Sequence, residues 1–329
     1  MTKRNLPNLF EGLDLSDEEM AGIRRPSKTL ARLIEGGVAI REEESADILF
    51  QHAVLCQTCL PYRDPGPETI EWERRQGRTI LAIEARKVLN PETEQRERVG
   101  LPFGPKPRLI LAHLNTRALR TGENVIEVAD SLTAFARELL GYPPNGKEAR
   151  LFKQQLARLA AADFQFHRLI DGEKGKGSQN TKAAFVKSHD LWLTKDDKQR
   201  VLWPSTIVLD PAYFASLQEH AVPLNQAALA NLAHSAMALD IYAWLSYRLH
   251  RVPAHSPQFI PWTAVKGQFG WQYQRIRKFR DVFRVALRAV GSQYPDARLE
   301  DTERGLTLYH SKSPIARRFL PLQSGGKDT

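Results

Sequence analysis

Between Trp271 and Arg288 the chain, WQYQRIRKFRDVFRVALR, separates apolar from basic positions at helical spacing. Wound at about 100° per residue, one face gathers apolar side chains: Ile276, Phe279, Val282, Phe283, Ala286, Leu287 and Val290. The opposite edge carries a row of arginines within about 80°: Arg277, Arg280, Arg284 and Arg288. The pattern predicts an amphipathic helix with one face in a core and one edge of guanidinium groups.

The elements around this helix follow the order of a winged helix-turn-helix. A shorter helical segment ends at Gly270 before it, and the stretch DARLEDTERGLTLYH after it is typical of a short hairpin. In this motif the second helix enters the major groove of DNA. Arginine suits that position because its planar fork pairs bidentately with guanine or binds phosphate. The stretch therefore predicts a DNA-binding function.

Apolar spacing and turn residues predict the earlier elements. They are a helix over Ala46–Leu60, a hairpin over Thr79–Gly100 that turns at Asn90–Thr93, a helix from Pro105 to Thr121, a strand at Val125–Val128, helices in SLTAFARELLG and Lys147–Ala162, strands in DFQFHRL and AFVKSHDLWL, a strand at Thr206–Leu209, a helix that opens at Asp210 and breaks at Pro223, and a long helix over Gln226–Arg251. Helices and strands mix throughout, so the fold class is α+β.

Two passages of the chain share one order: a helix, a short helix ending in glycine, an amphipathic basic helix and a hairpin. Aligning Phe152 with Phe279 also aligns Leu156 with Phe283. The shared order predicts two tandem winged helix-turn-helix domains with a mobile N-terminal arm. We expect the arm at residues 1–45, the first winged-helix domain with an N-terminal helix and hairpin at 46–222, the second at 223–312, and a disordered tail at 313–329.

The basic charge lies in the part of the chain that carries these domains. The formal net charge is +9. Residues 1–100 carry 15 Lys+Arg against 18 Asp+Glu, and residues 101–329 carry 32 against 20. Such an excess favours a nucleic-acid partner. The sequence has neither an apolar run long enough to span a membrane nor an apolar signal core, and two cysteines suit a reducing compartment, so we expect a cytoplasmic protein.

Candidate DNA contacts lie on both basic helices. In the second unit Tyr273, Gln274 and Arg277 are candidates for reading bases, because N-terminal residues of a recognition helix meet base edges. The further candidates are Lys278, Arg280, Arg284 and Arg288. Of these, Arg284 and Arg288 are candidates for phosphate contacts. In the first unit the polar arc consists of Lys147, Arg150, Lys153, Gln154 and Arg158. Each arc could instead be a solvated basic face, and the first could lie beside a dimer partner.

The segment DGEKGKGSQNTK between two predicted strands carries Lys174, Lys176 and Lys182 among glycines. It suits a wing laid along a minor groove or phosphates, or a mobile solvent loop. It is not a phosphate-binding P-loop, because Ser178 stands where a lysine must follow Gly177. Since the chain also lacks the His-x-His pair of rolling-circle nicking enzymes, we expect neither catalysis nor a cofactor.

Three residues have the spacing of half a zinc site: His52, Cys56 and Cys59. A second cysteine pair to complete a tetrahedron is missing from the sequence. We therefore expect two partly buried thiols on an apolar helix and no metal. We also expect His113 and His234 to be core histidines with hydrogen-bond partners.

Four stretches resemble the plasmid-encoded RepA replication initiators of the IncW type: LPFGPKPRLILAHLNTR from Leu101, Trp203–Ser205, AHSAMALDIYAWLSYRL from Ala233, and PQFIPWTAVKGQFGW from Pro257. The resemblance spans roughly residues 45–310. It implies an initiator that binds repeated double-stranded origin DNA (iterons), works with the host helicase and initiator, and exchanges between a repressing homodimer and an active monomer.

Two alternatives stay open beside this interpretation. A winged-helix transcription repressor that binds an inverted repeat would need the same fold. Residues Asn5–Phe10 loosely resemble the short peptides that bind the bacterial sliding clamp, although Pro7 and a missing glutamine count against that partner.

Overall fold

The structure, a computed structural model, combines helices with small antiparallel sheets. It describes residues 27–42, 47–89, 94–127, 132–172, 175–184, 186–188 and 206–315. The elements before residue 100 are α1 (Lys28–Glu42), β1 (Ile48–His52), α2 (Ala53–Gln57), β2 (Glu71–Gln76), β3 (Thr79–Ala85), β4 (Lys87–Leu89) and β5 (Arg96–Arg98).

Two units of helices and strands follow, joined by a connecting segment. The first unit contains α3 (Pro105–Thr121), β6 (Val125–Glu127), α4 (Leu132–Leu140), α5 (Gly146–Ala160), β7 (Ala162–Gly172), β8 (Gly175–Ala184), β9 (Val186–Ser188) and β10 (Thr206–Leu209). The connecting segment contains α6 (Pro211–His220), β11 (Ala221–Asn225) and α7 (Gln226–Leu232). The second unit contains α8 (Ala236–Arg248), a 3-10 turn (Leu249–Arg251), β12 (Gln258–Pro261), α9 (Trp262–Phe269), α10 (Ile276–Gln293), β13 (Leu299–Asp301) and β14 (Gly305–Leu308).

The two units have the same strand order. In the first unit, β6 lies between the first two helices and pairs with β10, and β10 pairs in turn with β9. In the second unit, β12 has the corresponding position and pairs with β14, and β14 pairs with β13. Ile126 lies opposite Ile207 in one sheet, and Ile260 lies opposite Leu306 in the other. Phe152 and Phe279, which the sequence aligns, are both fully buried. The internal likeness read from the sequence therefore extends to topology.

The first unit differs from the second by an inserted hairpin. Strands β7 and β8 lie between α5 and β9, and they extend the β2–β3 hairpin into a four-stranded sheet of order β2-β3-β7-β8. The interpretation of Asp171–Lys182 as a Gly-rich loop is wrong for its described residues, which continue these strands. Long ladder pairing from Asp163↔Ala184 to Gly172↔Gly175 outweighs the poor strand propensity of glycine.

The predicted hairpin over Thr79–Gly100 is only partly correct. Strands β4 and β5 do pair, as Lys87↔Arg98 and Leu89↔Arg96. Strand β3, however, pairs with β2 and β7, with Ile83 opposite both Trp72 and Phe164. The polar alternation of β2 was not recognised as a strand from the sequence.

The predicted helix over Ala46–Leu60 is wrong for its first half. Residues Ile48–His52 form β1, which pairs antiparallel with β11, and only Ala53–Gln57 is helical. Apolar side chains on both sides of β1 mimic a helical pattern, and the partner strand lies far away in sequence. The expected domain boundary near Val222 falls inside this pairing, opposite Gln51. The division into domains remains a prediction.

The expected mobile arm is wrong for Lys28–Glu42, because α1 packs against α7 and α10. Leu33 is buried, and its carbonyl accepts a hydrogen bond of 2.8 Å from Gln293 Nε2. Gly37 permits this close approach: a Cβ there would lie 2.5 Å from the carbonyl oxygen of Ser292. Residues 1–26, which include the clamp-like peptide, lie outside the described residues.

The predicted long helix over Gln226–Arg251 is interrupted. Helix α7 ends at Leu232, and α8 starts after Ser235, whose side chain accepts a hydrogen bond from the Ala238 amide. A serine that caps a new helix competes with continuation of the old one. His234 lies exposed at this break, so its expected place in the core is wrong. His113 is buried, as expected.

Buried contacts fix the two units to each other. Arg108 of α3 donates to both carboxylate oxygens of Asp240 of α8, at 2.6 and 2.7 Å. In a second contact, the Arg74 guanidinium of β2 lies over the rings of Trp72 and Trp271.

At the C-terminal end of the described chain, Ile315 is buried. The expected disordered tail is therefore wrong for residues 313–315, and residues 316–329 are not described.

Candidate nucleic-acid interface

A tight turn joins α9 to α10. Helix α9 ends at Phe269, and the amide of Tyr273 donates to the carbonyl of Gly270 at 2.9 Å. Position 270 has no room for a side chain, since a Cβ would lie 2.4 Å from Phe279 Cδ2. The missing side chain lets the aromatic face of α10 pack directly under the turn. This contact fixes the crossing of the two helices.

Helix α10 begins five residues later than the apolar pattern predicts. The structure starts it at Ile276, so Tyr273 and Gln274 lie in the turn, not on the helix. Tyr273 packs on Phe279 with ring centroids 5.8 Å apart, and Gln274 is exposed. Ile276, expected in the core, is 38% exposed. Trp271 lies before the helix and packs against Trp72 of β2, with ring centroids 4.6 Å apart.

The N-terminal end of α10 presents positive charge to solvent. Arg275 occupies the N-cap position, and no side chain caps this end in the part of the chain that the structure describes. Its first turn carries no acidic residue. Arg275, Arg277 and Lys278 are all exposed. Open backbone N–H groups, the helix dipole and three cations together make this end attractive to phosphate or to base edges.

The middle of the arginine row contacts protein carboxylates. Arg284 donates to both oxygens of Asp301 at 2.6 and 3.0 Å, and Arg280 donates to Glu303 at 2.5 Å. Both guanidinium groups also lie over the ring of Trp262. The hydrogen bond from Arg280 holds the pKa of Glu303 below its ordinary value. The acids that bind these two arginines belong to the β13–β14 hairpin.

The C-terminal end of the row has a third environment. Arg288 is half-buried at the edge of an apolar groove between α1, α8 and α10. Val285 on the same helix face is 59% exposed. The four arginines that one wheel groups together are therefore divided: Arg277 is exposed, Arg280 and Arg284 are paired, and Arg288 borders apolar surface.

Helix α5 of the first unit presents a weaker charged surface. Lys147, Arg150 and Gln154 are exposed, and Lys153 is half-buried. Arg158 pairs with Asp64 at 3.1 Å and donates to the Leu101 carbonyl at 2.9 Å. These contacts link the Arg158 guanidinium of α5 to the part of the chain before α3.

The N-terminus of α5 also differs from that of α10. Its backbone N–H groups meet a capping box, in which Asn145 bonds the Glu148 amide and Glu148 bonds back to Asn145. An end occupied by its own carboxylate attracts phosphate less than an open one. Lys174 lies outside the described residues, and Lys176 lies on β8 with its side chain undescribed.

The sequence pattern did not indicate three of these residues. Arg275 falls inside the predicted helix and away from its arginine row, and Asp301 and Glu303 fall in the predicted hairpin. The alternation of acids in LEDTERG beside an arginine-rich helix was the available signal. Since the hairpin follows α10 directly in the chain, ion pairs between opposite charges on the two could have been predicted.

The half zinc spacing has a structural explanation. His52 caps α2 through Nδ1, which accepts from the Val54 amide, and its ring stacks on Phe166. Burial, with a smaller effect of nearby His220, lowers the pKa of His52 to about 3. Burial raises the pKa of the Cys56 thiol, and Cys59 bonds the carbonyl of Gln268. Over the described ranges, no group of three or more potential metal ligands occurs.

Among the residues that the structure describes, none of the helices combines the length and the apolar character needed to span a membrane.

Comparison with known proteins places the chain in a family. Residues 101–263, about half of the chain, match the model of the plasmid-encoded RepA proteins. The chain belongs to this family, and the resemblance predicted from the sequence is confirmed. The matched segment runs from α3 to the start of α9, so α10 lies just beyond it.

Two solved structures of RctB domains 2 and 3 are similar in fold. The first has 13% sequence identity and a TM-score of 0.48, and the match covers 80% of this chain and 97% of that one. The second has 12% identity and a TM-score of 0.46, with 78% and 94% covered. No curated protein sequence matches the chain significantly.

Proposed function

We propose that this protein initiates plasmid replication by binding repeated origin DNA through two winged helix-turn-helix units. One observation carries the proposal: the N-terminus of α10 is open, positively charged and exposed, at the position of a recognition helix. Membership in the plasmid-encoded RepA family supplies the biological setting. The equal strand order of the two units supports the winged-helix assignment.

In this proposal the second unit reads sequence and the first unit contributes affinity. Arg277 enters the major groove, where its fork pairs with a guanine edge, and Gln274 and Lys278 flank it. Arg275 and the free N–H groups of α10 bind phosphate. Lys147, Arg150 and Gln154 on α5 approach the backbone of the neighbouring groove. This division follows from the open end of α10 and the capped end of α5.

The proposed mechanism is positional and needs no catalytic group. Several copies bind successive repeats, and the strain on adjacent A·T-rich DNA favours strand opening. Smooth bending of a site costs on the order of 1–6 kcal/mol, which contacts from each bound copy offset. The opened strands then receive the host helicase and initiator. A homodimer that dissociates into active monomers fits the same scheme.

A footprint on DNA taken from beside the protein's own gene tests the proposal. We expect regularly spaced protections of equal length, and replication of that fragment when the protein is supplied in trans. Protection of a single inverted repeat without replication would indicate a repressor. A covalent protein–DNA adduct formed with a divalent metal would indicate a nicking enzyme.

Arg277 provides the residue-level test on the protected repeat. Arg277→Ala should cost about 1–3 kcal/mol in binding the cognate repeat and relax base preference at one position. Arg277→Lys retains the charge and should recover non-specific affinity without recovering the preference. Equal losses on cognate and random DNA would remove Arg277 from the base-reading residues. Arg63→Ala, which removes another exposed arginine, is the matched control.

A further inference from the structure

A second basic surface lies away from α10. It is a groove of about 790 Å³ between the β2–β3 turn, β7, the end of α6 and the end of α8. We refer to it as the interunit groove. Three arginines line it, Arg78, Arg248 and Arg251, and Glu219 is the carboxylate among the lining residues. Its volume falls in the range of about 300–1,000 Å³ typical of ligand clefts.

Two of these arginines lack an acidic partner. In the described part of the chain, neither Arg248 nor Arg251 forms an ion pair with a carboxylate. Arg248 donates to the side chain of Gln258 at 2.9 Å, and Arg251 donates to the carbonyl of Tyr247. Arg248 is only partly exposed, and burial lowers the pKa of its guanidinium. Partly buried charges are ordinarily paired, so Arg248, together with the exposed Arg251 in the same groove, favours an anionic ligand.

The groove also offers aromatic and polar groups beside the charge. The Arg251 guanidinium lies 4.1 Å from the ring centre of Tyr247, which is half-buried in the wall. His167, His220, Gln57 and Ser216 also line the groove. Guanidinium groups beside an aromatic ring are typical of surfaces that bind single-stranded nucleic acid, where phosphates meet cations and bases stack.

We propose that the interunit groove binds one strand of nucleic acid through its phosphates. The walls are concave and come from both units, so the groove suits a single strand better than a convex duplex. Arg248 and Arg251 contact the backbone, and Tyr247 with its stacked arginine supports a base. The site is independent of the duplex contact assigned to α10, because the two share no residue.

Fluorescence anisotropy with labelled twenty-nucleotide oligothymidylate and the full-length chain tests this site. We expect binding that weakens with salt. The variant Arg248→Gln/Arg251→Glu should lose about tenfold in affinity or more, and the slope of log affinity against log salt should fall by about 1.4. Arg251→Glu alone, at an exposed position, keeps the test valid if the double variant unfolds. Arg298→Glu, an exposed arginine of the second unit outside the groove, is the matched control.

Several results would overturn the assignment. They are the absence of oligothymidylate binding by the wild type, equal binding by wild type and both groove variants, and an equal loss on a random twenty-base-pair duplex. Loss of oligothymidylate binding in Arg277→Ala would place the strand on α10 instead. An oligouridylate arm distinguishes an RNA strand from a DNA strand, and equal affinity for both supports recognition through phosphates.

Discussion

Arg284 of α10 donates two hydrogen bonds to Asp301 of β13, at 2.6 and 3.0 Å. The pair joins the candidate recognition helix to its own hairpin and neutralises the middle of the arginine row. Glu303, on the loop after β13, does the same for Arg280. Because carboxylates repel phosphate, this part of the hairpin is a poor surface for a DNA backbone. Helix α10 therefore has a positively charged N-terminal end and a middle in which carboxylates neutralise the arginines.

Releasing Arg284 should strengthen DNA binding. Asp301→Asn removes one carboxylate and leaves Arg284 only the longer contact of 3.6 Å with Glu303, so affinity for any duplex should rise. The slope of log affinity against log salt should steepen by about 0.9 for one added phosphate contact. Folding free energy should change by less than about 1 kcal/mol, because both side chains of the pair are partly exposed.

A salt titration by anisotropy measures the effect of Asp301→Asn. Asp296→Asn is the matched control, since it removes the same charge from an exposed position of the same unit. Weaker binding in Asp301→Asn would mean that the carboxylate positions Arg284 for a DNA contact.

Two glycines of the α9 region should respond oppositely to alanine. Gly270→Ala places a methyl group 2.4 Å from the Phe279 ring, so we expect a loss of about 1–3 kcal/mol in folding free energy. Gly267 lies in α9 with nothing within 4 Å of an added Cβ. Gly267→Ala should therefore stabilise the helix by about 0.5–1 kcal/mol. Urea unfolding of both variants measures the difference, and a similar loss in both would disprove the close-contact argument.

The buried pair between the two units should be far more costly to break than a surface pair. Arg108 also donates to the carbonyls of Gly104 and Leu60, at 2.6 and 2.8 Å. Arg108→Met leaves the Asp240 charge and both carbonyls unpaired, so we expect a loss of about 3–5 kcal/mol. The double variant Arg108→Met/Asp240→Leu should recover part of that loss.

A surface pair gives the scale for this prediction. Arg117 and Glu138 lie 3.1 Å apart with both side chains more than a third exposed. Glu138→Gln removes the charge of this pair and keeps the hydrogen bond from Arg117 to His113, so it should cost about 0–1 kcal/mol. Urea unfolding curves for the complete double-mutant cycle give the coupling energy. Additive losses in the Arg108 and Asp240 variants would show that the two groups do not stabilise each other.

Local signals predicted the start of α3 and the end of α9, whereas strand pairings between distant segments could not be predicted. The helix-start signals Pro105 and Pro107 lie in the first turn of α3, and Gly270 directly follows α9, so these two helix ends lie where expected. Strand β1 could not be predicted because its partner, β11, lies about 170 residues away. Pairing with β11 turned an apparently helical stretch into a strand.

The candidate site shows the same difference between local and distant signals. The amphipathic pattern predicted α10, and Phe279 and Phe283 are fully buried as expected. The partners of Arg280 and Arg284 depend on how the hairpin returns to the helix. A helical wheel describes one helix and cannot show carboxylates that belong to another element.

The buried imidazole of His113 should make the protein less stable in acid. Its Nε2 accepts a hydrogen bond of 3.0 Å from Arg117, and the ring meets Phe135 edge-on. Burial lowers the pKa of His113 to about 4, against the partial opposition of Glu138, while Arg117 and Arg120 lower it further. In the unfolded chain the group titrates near 6.5. Between these values the unfolded state binds more protons than the native state.

The free energy of unfolding should therefore fall as the pH drops from about 6.5 to about 4. The contribution of His113 to that fall is on the order of 3 kcal/mol. His113→Gln retains an acceptor for Arg117 and removes the titration, so its stability should fall less over this range. Urea unfolding at several pH values measures both slopes. His255→Gln, which changes an exposed histidine, is the matched control. An unchanged slope in His113→Gln would show that the acid loss arises at other groups, such as His52.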